Sequence, residues 1–276
     1  MRRYHARAAA VSSESHFMAN RFAQQLTKLA SAYGSAECQI VGAFFAVPRR
    51  EKDHLRWLKA QGFKEYSAIK PILEALNKLY PHIDKGIPRH EYTELTEKLA
   101  DETNHARLVM DLLQEITGKK ITPRDLTWLP QDRKLAKVRA GYSKSYAGLL
   151  HGSEKVTARE MRRKDEELER AAITLTEGGG GALYHVCGML KKRGIEQKIA
   201  AVFRQILQDE VQHKDSGARS LAALVKDEGS FQRAARIISE VSGQRLRMRN
   251  EQFGFPLSEA EMKALDERAR QSVSGL

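Results

Sequence analysis

Residues Leu95 to Leu112 read LTEKLADETNHARLVMDL and have the pattern of an amphipathic helix. Its apolar residues recur at helical spacing, and Glu102 and His105 fall in the middle of the apolar face. Residues three apart project from the same face of a helix, so these two side chains point together. A carboxylate buried on such a face is costly unless it has a hydrogen-bond partner or a metal ion.

A second stretch repeats this arrangement at Asp209–His213, which reads DEVQH. Glu210 and His213 again lie one turn apart on a mainly apolar face. Oxygen and imidazole nitrogen together suit a first-row metal. A core histidine bonded to a neighbouring glutamate would explain one such motif, but two matching motifs favour a metal site. The apolar residues of the second face are Ile199, Phe203, Ile206, Leu221 and Leu224.

A two-metal site needs more carboxylates, and the helix preceding the first motif offers Glu65. This residue lies on an apolar stripe that runs from Leu58 to Tyr80, whereas Glu74 falls on the opposite face between lysines and is interpreted as solvated. Glu37 is a rival ligand because apolar residues surround it at helical spacing. Pro71 predicts a kink in this helix. A kink would rotate the residues that follow it, so the face assigned to the later part of the stripe depends on it.

Glu177 is the corresponding candidate in the second half of the chain. It follows an apolar segment and is preferred over Glu166, Glu167 and Glu169, which lie in a charged run interpreted as a solvated face. Thirty-five residues separate Glu65 from Asp101, and thirty-one separate Glu177 from Asp209. Each spacing is long enough for the chain to turn and run back antiparallel, which brings the motif level with the glutamate of the preceding helix. The predicted metal ligands are Glu65, Glu102, His105, Glu177, Glu210 and His213.

The chain as a whole is predicted to be all-α, with a four-helix core and additional helices at both termini. Six of the seven prolines fall where helices are expected to end, and a final short helix opens at Ser258 with a capping box to Glu261. The basic segment 119–164 joins the two halves. Long periodic segments are predicted at Ser13–Val47, Glu51–Tyr80, Glu91–Thr117, Lys155–Arg193, Ile195–Lys226 and Phe231–Asn250.

Composition and charge limit the classes of protein to which this chain can belong. Two cysteines outside any CxxC pair, no signal segment and no membrane-length apolar run predict a cytoplasmic protein that does not bind membranes. The net charge of +12 is concentrated in segment 119–164, with thirteen Lys or Arg against four Asp or Glu. This segment is either a solvated surface or a docking face for an anionic substrate, an acidic carrier protein or nucleic acid.

A glutamate followed after some thirty residues by Asp-Glu-x-x-His, occurring twice, resembles the ferritin-like di-iron carboxylate superfamily. The resemblance covers Leu55 to Leu221. It implies two iron ions, with a manganese–iron pair as the alternative, and dioxygen as co-substrate. It also implies that Asp101 and Asp209 accept hydrogen bonds from the histidine of the opposite motif. The implied domains are a flexible basic N-terminus (1–12), a ferritin-like helical domain (13–250) and a C-terminal extension (251–276).

Some positions depart from the superfamily's pattern. Many members have Arg before each motif histidine, where this chain has Asn104 and Gln212. Arylamine N-oxygenases have an additional histidine ligand where this chain has Ile206. Tyr184 lies two turns beyond Glu177 and is the candidate catalytic residue, as a redox-active or proton-donating tyrosine, with an ordinary core tyrosine as the alternative.

The resemblance implies an oxygen-activating oxidoreductase that hydroxylates, N-oxygenates, desaturates or cleaves a small organic substrate. The substrate is expected to be anionic or carrier-bound, and an electron donor and a homodimeric partner are further expectations. Two other functions stay open: an iron-handling protein, meaning a ferroxidase or peroxide scavenger, and a hydroxylase associated with RNA. The glycines Gly178–Gly181 beside Glu177 mark either a helix break or a widened turn.

Overall fold

The structure is a computed structural model that describes the backbone of residues 2–85, 89–142, 167–176, 180–191 and 193–273. The side chains of the same residues are described apart from those of 2–20, 78, 82, 84, 85, 90, 91, 180 and 210–217.

Helices form almost all of the described chain. Two short 3-10 helices, Tyr80–Lys85 and Pro123–Asp125, lie in the connections. The α-helices are α1 (Arg2–Phe45), α2 (Glu51–Leu79), α3 (Arg89–Thr117), α4 (Pro130–Tyr142), α5 (167–176), α6 (Gly180–Gly188), α7 (Ile195–Leu224), α8 (Glu228–Gln252) and α9 (Glu259–Gln271).

The all-α fold is confirmed. Helix α2 packs on α3, helix α6 packs on α7, and contacts between α3 and α7 join the two pairs. Helix α1 lies against α6, α7, α8 and α9, and α8 also contacts α2 and α4. Among the helices that the structure describes, none combines the length and the apolar character needed to cross a membrane.

Two large apolar clusters and a small one hold the helices together. One large cluster joins α1 to α8 and α9, and the other joins α2, α3, α6 and α7 around Trp57, Phe203 and Phe253. The small cluster lies between the end of α2 and the beginning of α3. Glu65 lies on α2 between Leu58 of the second large cluster and Ile72 of the small one, so both sides of this turn are anchored by packing.

Several helix boundaries differ from the predicted ones. Helix α1 begins at Arg2, before the predicted start at Ser13, and α4 lies in the joining segment, where the sequence indicated no helix. Pro130 begins α4, so the prediction that it marks a helix end was wrong. Proline suits a first helical turn because that position has no intrahelical acceptor for its missing N–H.

Helix α8 begins before its predicted start at Phe231. Its N-cap is Asp227, whose carboxylate accepts the backbone N–H of Ser230 at 2.7 Å. The predicted cap of α9 is confirmed, since Ser258 and Glu261 form the reciprocal capping box. Capping satisfies backbone donors that have no partner inside the helix, so it determines where these helices begin.

Helix α2 runs through Pro71 to Leu79. The predicted stripe is confirmed from Leu58 to Leu76, where every member is buried except the half-buried Ile69. It was wrong at Tyr80, whose side chain is exposed, while Leu79 is buried. Tyr80 begins the 3-10 helix, where three residues rather than 3.6 make a turn, so the α-helical phase no longer applies.

Candidate metal centre

A glycine allows α3 to lie close to α2 beside Glu65. A Cβ atom placed on Gly62 would be 3.3 Å from Val109 Cγ1 and 3.0 Å from Leu126 Cδ2. Those distances leave little room for any side chain at this position. The lack of a side chain at Gly62 therefore lets the two helices approach one turn before Glu65.

Three of the predicted ligands converge between these helices. Glu65 of α2 and Glu102 and His105 of α3 each offer a ligand atom within 4.8 Å of the others. The side chains are buried, with exposures of 3%, 9% and 0% respectively. Helical periodicity correctly predicted that these three residues face the interior, because both segments form regular α-helices around them.

His105 also contacts the second motif. Its Nε2 atom lies 3.0 Å from Asp209 Oδ2, across the contact between α3 and α7. This is the contact that the superfamily resemblance implied for Asp209. A carboxylate at Nε2 orients the ring and favours the tautomer in which Nε2 carries the proton, which leaves the lone pair of Nδ1 available to a metal.

Glu65 accepts two hydrogen bonds at one oxygen atom. The hydroxyl of Tyr184, on α6, donates to Glu65 Oε1 at 2.6 Å, and the side-chain amide of Gln61 donates to the same oxygen. Tyr184 is buried and lies in the predicted site region. Its role in catalysis stays a prediction, but the hydroxyl contacts a candidate ligand directly.

The rival ligand Glu37 lies in a different contact. Its carboxylate accepts a hydrogen bond from Arg249 Nε at 2.6 Å, and both side chains are 1% exposed. Arg249 in turn donates to Gln61 Oε1 at 3.0 Å. Glu37 is thus the anion of a buried ion pair that connects to Glu65 through Gln61.

Sequence reasoning missed Gln61, Arg249 and Gln252. Arg249 and Gln252 lie at the end of the buried face of α8, which begins with apolar residues such as Ile238 and Val241. Helical spacing continues that face to Arg245, Arg249 and Gln252. Polar residues in phase with an apolar stripe are therefore the sequence pattern that could have identified Arg249 and Gln252 as buried.

Two glutamates excluded from the ligand set have other partners. Glu74 forms an exposed ion pair with Lys70 at 3.7 Å, which confirms its assignment to the solvated face. Glu169 was wrongly assigned to a solvated face, because its side chain is only 14% exposed and pairs with Arg233 of α8.

The remaining predicted ligands lie outside the described part of the chain. This applies to Glu177 as a whole and to the side chains of Glu210 and His213, whose backbone belongs to α7. Asp101 is half-buried on α3, but its expected partner His213 is among the undescribed side chains. Gly178 and Gly179 are likewise outside the description, while Gly180 and Gly181 begin α6.

The donor set fits a metal ion. Two buried carboxylates and one imidazole place oxygen and nitrogen ligands together, which suits iron, manganese or zinc. Both hydrogen bonds described for Glu65 come from neutral donors, the Tyr184 hydroxyl and the Gln61 amide. A cation at the convergence of Glu65, Glu102 and His105 would compensate the buried negative charge.

Comparison of the chain with models of protein families, with curated proteins and with solved structures gives no match in any of the three. The function is therefore inferred from the geometry of the site.

Proposed function

We propose that the protein is an oxygen-dependent di-iron oxidoreductase, an oxygenase or oxidase that acts on a small organic substrate. The observation that carries this proposal is the convergence of Glu65, Glu102 and His105, three buried side chains with ligand atoms within 4.8 Å of one another. Carboxylate and imidazole ligands projecting inward from neighbouring helices are the usual ligand set of di-iron helical bundles.

The second half of the proposed ligand set is Glu177, Glu210 and His213. Asp209 directly precedes Glu210, and its contact with His105 joins the second motif to the first. That contact supports a shared site for the two motifs, with Glu65 and Glu177 as the remaining carboxylates. The pair of metals is proposed to be iron, with manganese and iron as the alternative.

Bound iron would supply the redox chemistry that reduces dioxygen and oxidises the substrate. In hydroxylation, one oxygen atom enters the substrate and the other leaves as water, with two electrons from an external donor and two protons. Glu65 and His105 are held in position by Tyr184 and Asp209 respectively. The Tyr184 hydroxyl holds a proton beside Glu65, within the buried cluster where oxygen reduction would require protons.

We further propose that the substrate is anionic or is presented by an acidic carrier. Support comes from exposed basic side chains before and within α4, which belong to the segment of highest positive charge. Such a surface attracts anions at long range and raises association rates at low salt. The exposed side chains are Lys119, Lys120, Arg124, Arg133, Lys134 and Lys137.

Anaerobic reduction of the iron-loaded protein, followed by mixing with oxygen, tests this function. The proposal predicts an oxygen-dependent change in optical absorption that decays faster when a suitable substrate is present. The variant Glu102→Ala should lose the signal, whereas Glu74→Ala, at an exposed carboxylate of α2, should keep it. A wild-type protein that binds iron but consumes no oxygen would contradict the proposal.

The same measurements separate the alternatives. Oxygen-dependent iron oxidation that no organic substrate accelerates, together with cage-sized assembly on a sizing column, would favour iron handling. Salt-sensitive RNA binding that survives Glu102→Ala would favour an RNA-associated protein whose binding does not depend on the metal site.

A further inference from the structure

Polar side chains from three helices form a continuous set around Glu65. Gln61 of α2 and Tyr184 of α6 both donate to Glu65 Oε1, and the Gln61 amide nitrogen also lies 3.2 Å from the Tyr184 hydroxyl oxygen. Helix α8 adds Arg249 and Gln252, and all these side chains are buried. A buried polar set of this kind orients its members strongly, because each lost hydrogen bond leaves an unsatisfied group away from water.

The orientation of the Gln61 amide follows from its partners on α8. Gln61 Oε1 accepts hydrogen bonds from Arg249 Nη1 and from Gln252 Nε2, each at 3.0 Å. A guanidinium group has donors and no acceptor, so the amide oxygen must face Arg249. The amide nitrogen then faces Glu65 and Tyr184, where it can donate.

Arg249 and Gln252 are themselves fixed. Arg249 Nε donates to Glu37 at 2.6 Å, and Arg249 also donates to Gln252 Oε1. Gln252 Nε2 contacts the backbone oxygen of Trp57 at 3.2 Å, one turn before Gln61 on α2. Helix α8 therefore holds the Gln61 amide from the side opposite Glu65.

We propose that Gln61 is a positioning residue for the candidate metal site, held by Arg249 and Gln252, and that it leaves Oε2 as the Glu65 oxygen that would bind a metal. Its amide and the Tyr184 hydroxyl both donate to Oε1, so the lone pairs of that oxygen are engaged and Oε2 would be the oxygen available to a metal. This inference rests on the proposed metal site and specifies how one of its ligands is oriented. Groups that orient a ligand in this way tune metal affinity as well as stability.

Titration of the metal-free protein with Co²⁺ tests the inference, because the visible absorption of bound Co²⁺ reports the geometry of its ligands. Gln61→Met keeps the length of the side chain but removes both the donor to Glu65 and the acceptor for Arg249. We expect Co²⁺ affinity to fall by about tenfold or more, with a changed absorption spectrum.

Gln244→Met is the matched control. Gln244 is a buried glutamine of α8 that donates to the backbone and side-chain oxygens of Gln131, at 3.1 Å and 3.0 Å, and not to Glu65. Its substitution removes a comparable buried amide. We expect a similar loss of thermal stability with unchanged Co²⁺ affinity and spectrum. Equal effects of the two substitutions on Co²⁺ binding would overturn the positioning role.

Tyr184→Phe provides a second test should Gln61→Met fail to fold, since it removes only the other donor to Glu65 Oε1. A weakened affinity and a shifted Co²⁺ spectrum are expected, and a wild-type affinity and spectrum would overturn the inference. His105→Ala separates a failure of the metal site from a failure of the positioning role of Gln61. If wild-type protein binds Co²⁺ and His105→Ala does not, the metal site stands whatever Gln61 does. If wild-type protein binds no Co²⁺, both the site and the positioning role are wrong.

Discussion

At the scale of single residues, the side chains of His105 and Glu65 are oriented by residues of other helices. Each has a polar partner on another helix, Asp209 on α7 for the imidazole and Tyr184 on α6 for the carboxylate. A side chain that is buried and oriented from a second helix loses little conformational freedom when it binds a metal. The cluster is thus largely organised by the fold, and a metal ion would meet ligands that are already in position.

Removing the carboxylate beside His105 should weaken metal binding. Asp209→Ala leaves the ring without the acceptor at Nε2, so the orientation and tautomer that leave Nδ1 available to a metal are no longer enforced. We expect affinity for Co²⁺ to fall by about 10–100-fold, measured by competition with a chromophoric chelator. Asp111→Ala, at an exposed carboxylate of α3 paired with Arg107, should leave affinity unchanged. Equal affinities for the two variants would contradict the role of Asp209.

The buried pair of Arg249 and Glu37 predicts a large effect on stability. Arg249→Met leaves the Glu37 carboxylate buried without its cation, which should lower the free energy of unfolding by about 3–5 kcal/mol. Urea denaturation of the metal-free protein measures this change. The double variant Glu37→Gln/Arg249→Met should recover part of the loss, because neither position of the former ion pair then carries an uncompensated charge.

An exposed ion pair supplies the comparison for that experiment. Arg107 and Asp111 are both more than half exposed, so Arg107→Met should cost less than about 1 kcal/mol. If Arg249→Met cost no more than Arg107→Met, the Glu37–Arg249 pair would not be holding α8 against α1.

At the scale of helices, periodicity predicted the inward faces of α2 and α3 correctly, and with them Glu65, Glu102 and His105. The reason is that helical phase is local: a window of about 11 to 18 neighbouring residues determines it. Contacts between helices far apart in sequence are not local. Nothing near Gln61 indicates that Arg249, almost two hundred residues later, lies against it.

Helix ends were harder to predict than helix faces. Pro130 begins a helix although it was expected to end one, and Tyr80 leaves the buried stripe where α2 changes to a 3-10 helix. Proline is compatible with either side of a boundary, and a sequence pattern does not distinguish a continuing α-helix from a tighter turn. Both errors lie outside the central turns that carry the candidate ligands.

The contact between α1 and α9 predicts that the stability of the folded protein depends on pH. Tyr33 of α1 donates to Asp266 of α9 at 2.7 Å, and burial, with the Asp266 carboxylate, raises the pKa of Tyr33 above its ordinary value. Folding then favours the protonated hydroxyl. This stabilisation is fully present below the unfolded-state pKa of 10.0 and is lost as pH rises from there toward the raised folded-state pKa.

Thermal unfolding followed between pH 8 and about pH 11 measures this contribution. The wild-type protein should lose stability in the upper part of this range more steeply than Tyr33→Phe, which has no hydroxyl to ionise. Parallel pH profiles for the two proteins would show that the Tyr33–Asp266 contact does not couple docking of α9 to pH.

At the scale of the whole molecule, the described helices divide into those that carry the candidate metal centre and those that support it. Helices α2, α3 and α7 supply the described ligands and Asp209, and α6 supplies Tyr184. Helix α8 packs between α1 and α4 and delivers Arg249 to the back of the site. Helix α8, and α1 through the Glu37–Arg249 pair, are therefore connected to the candidate centre through Gln61.

The iron content of protein produced with ample iron, measured by elemental analysis, tests whether the buried cluster is a metal centre. The di-iron proposal predicts about two iron ions per chain. Glu102→Ala should lose most of this iron, while Glu74→Ala, on the exposed face of α2, should retain it. A wild-type protein with well under one metal ion per chain, unchanged in Glu102→Ala, would show that Glu65, Glu102 and His105 form a buried polar cluster and not a metal centre.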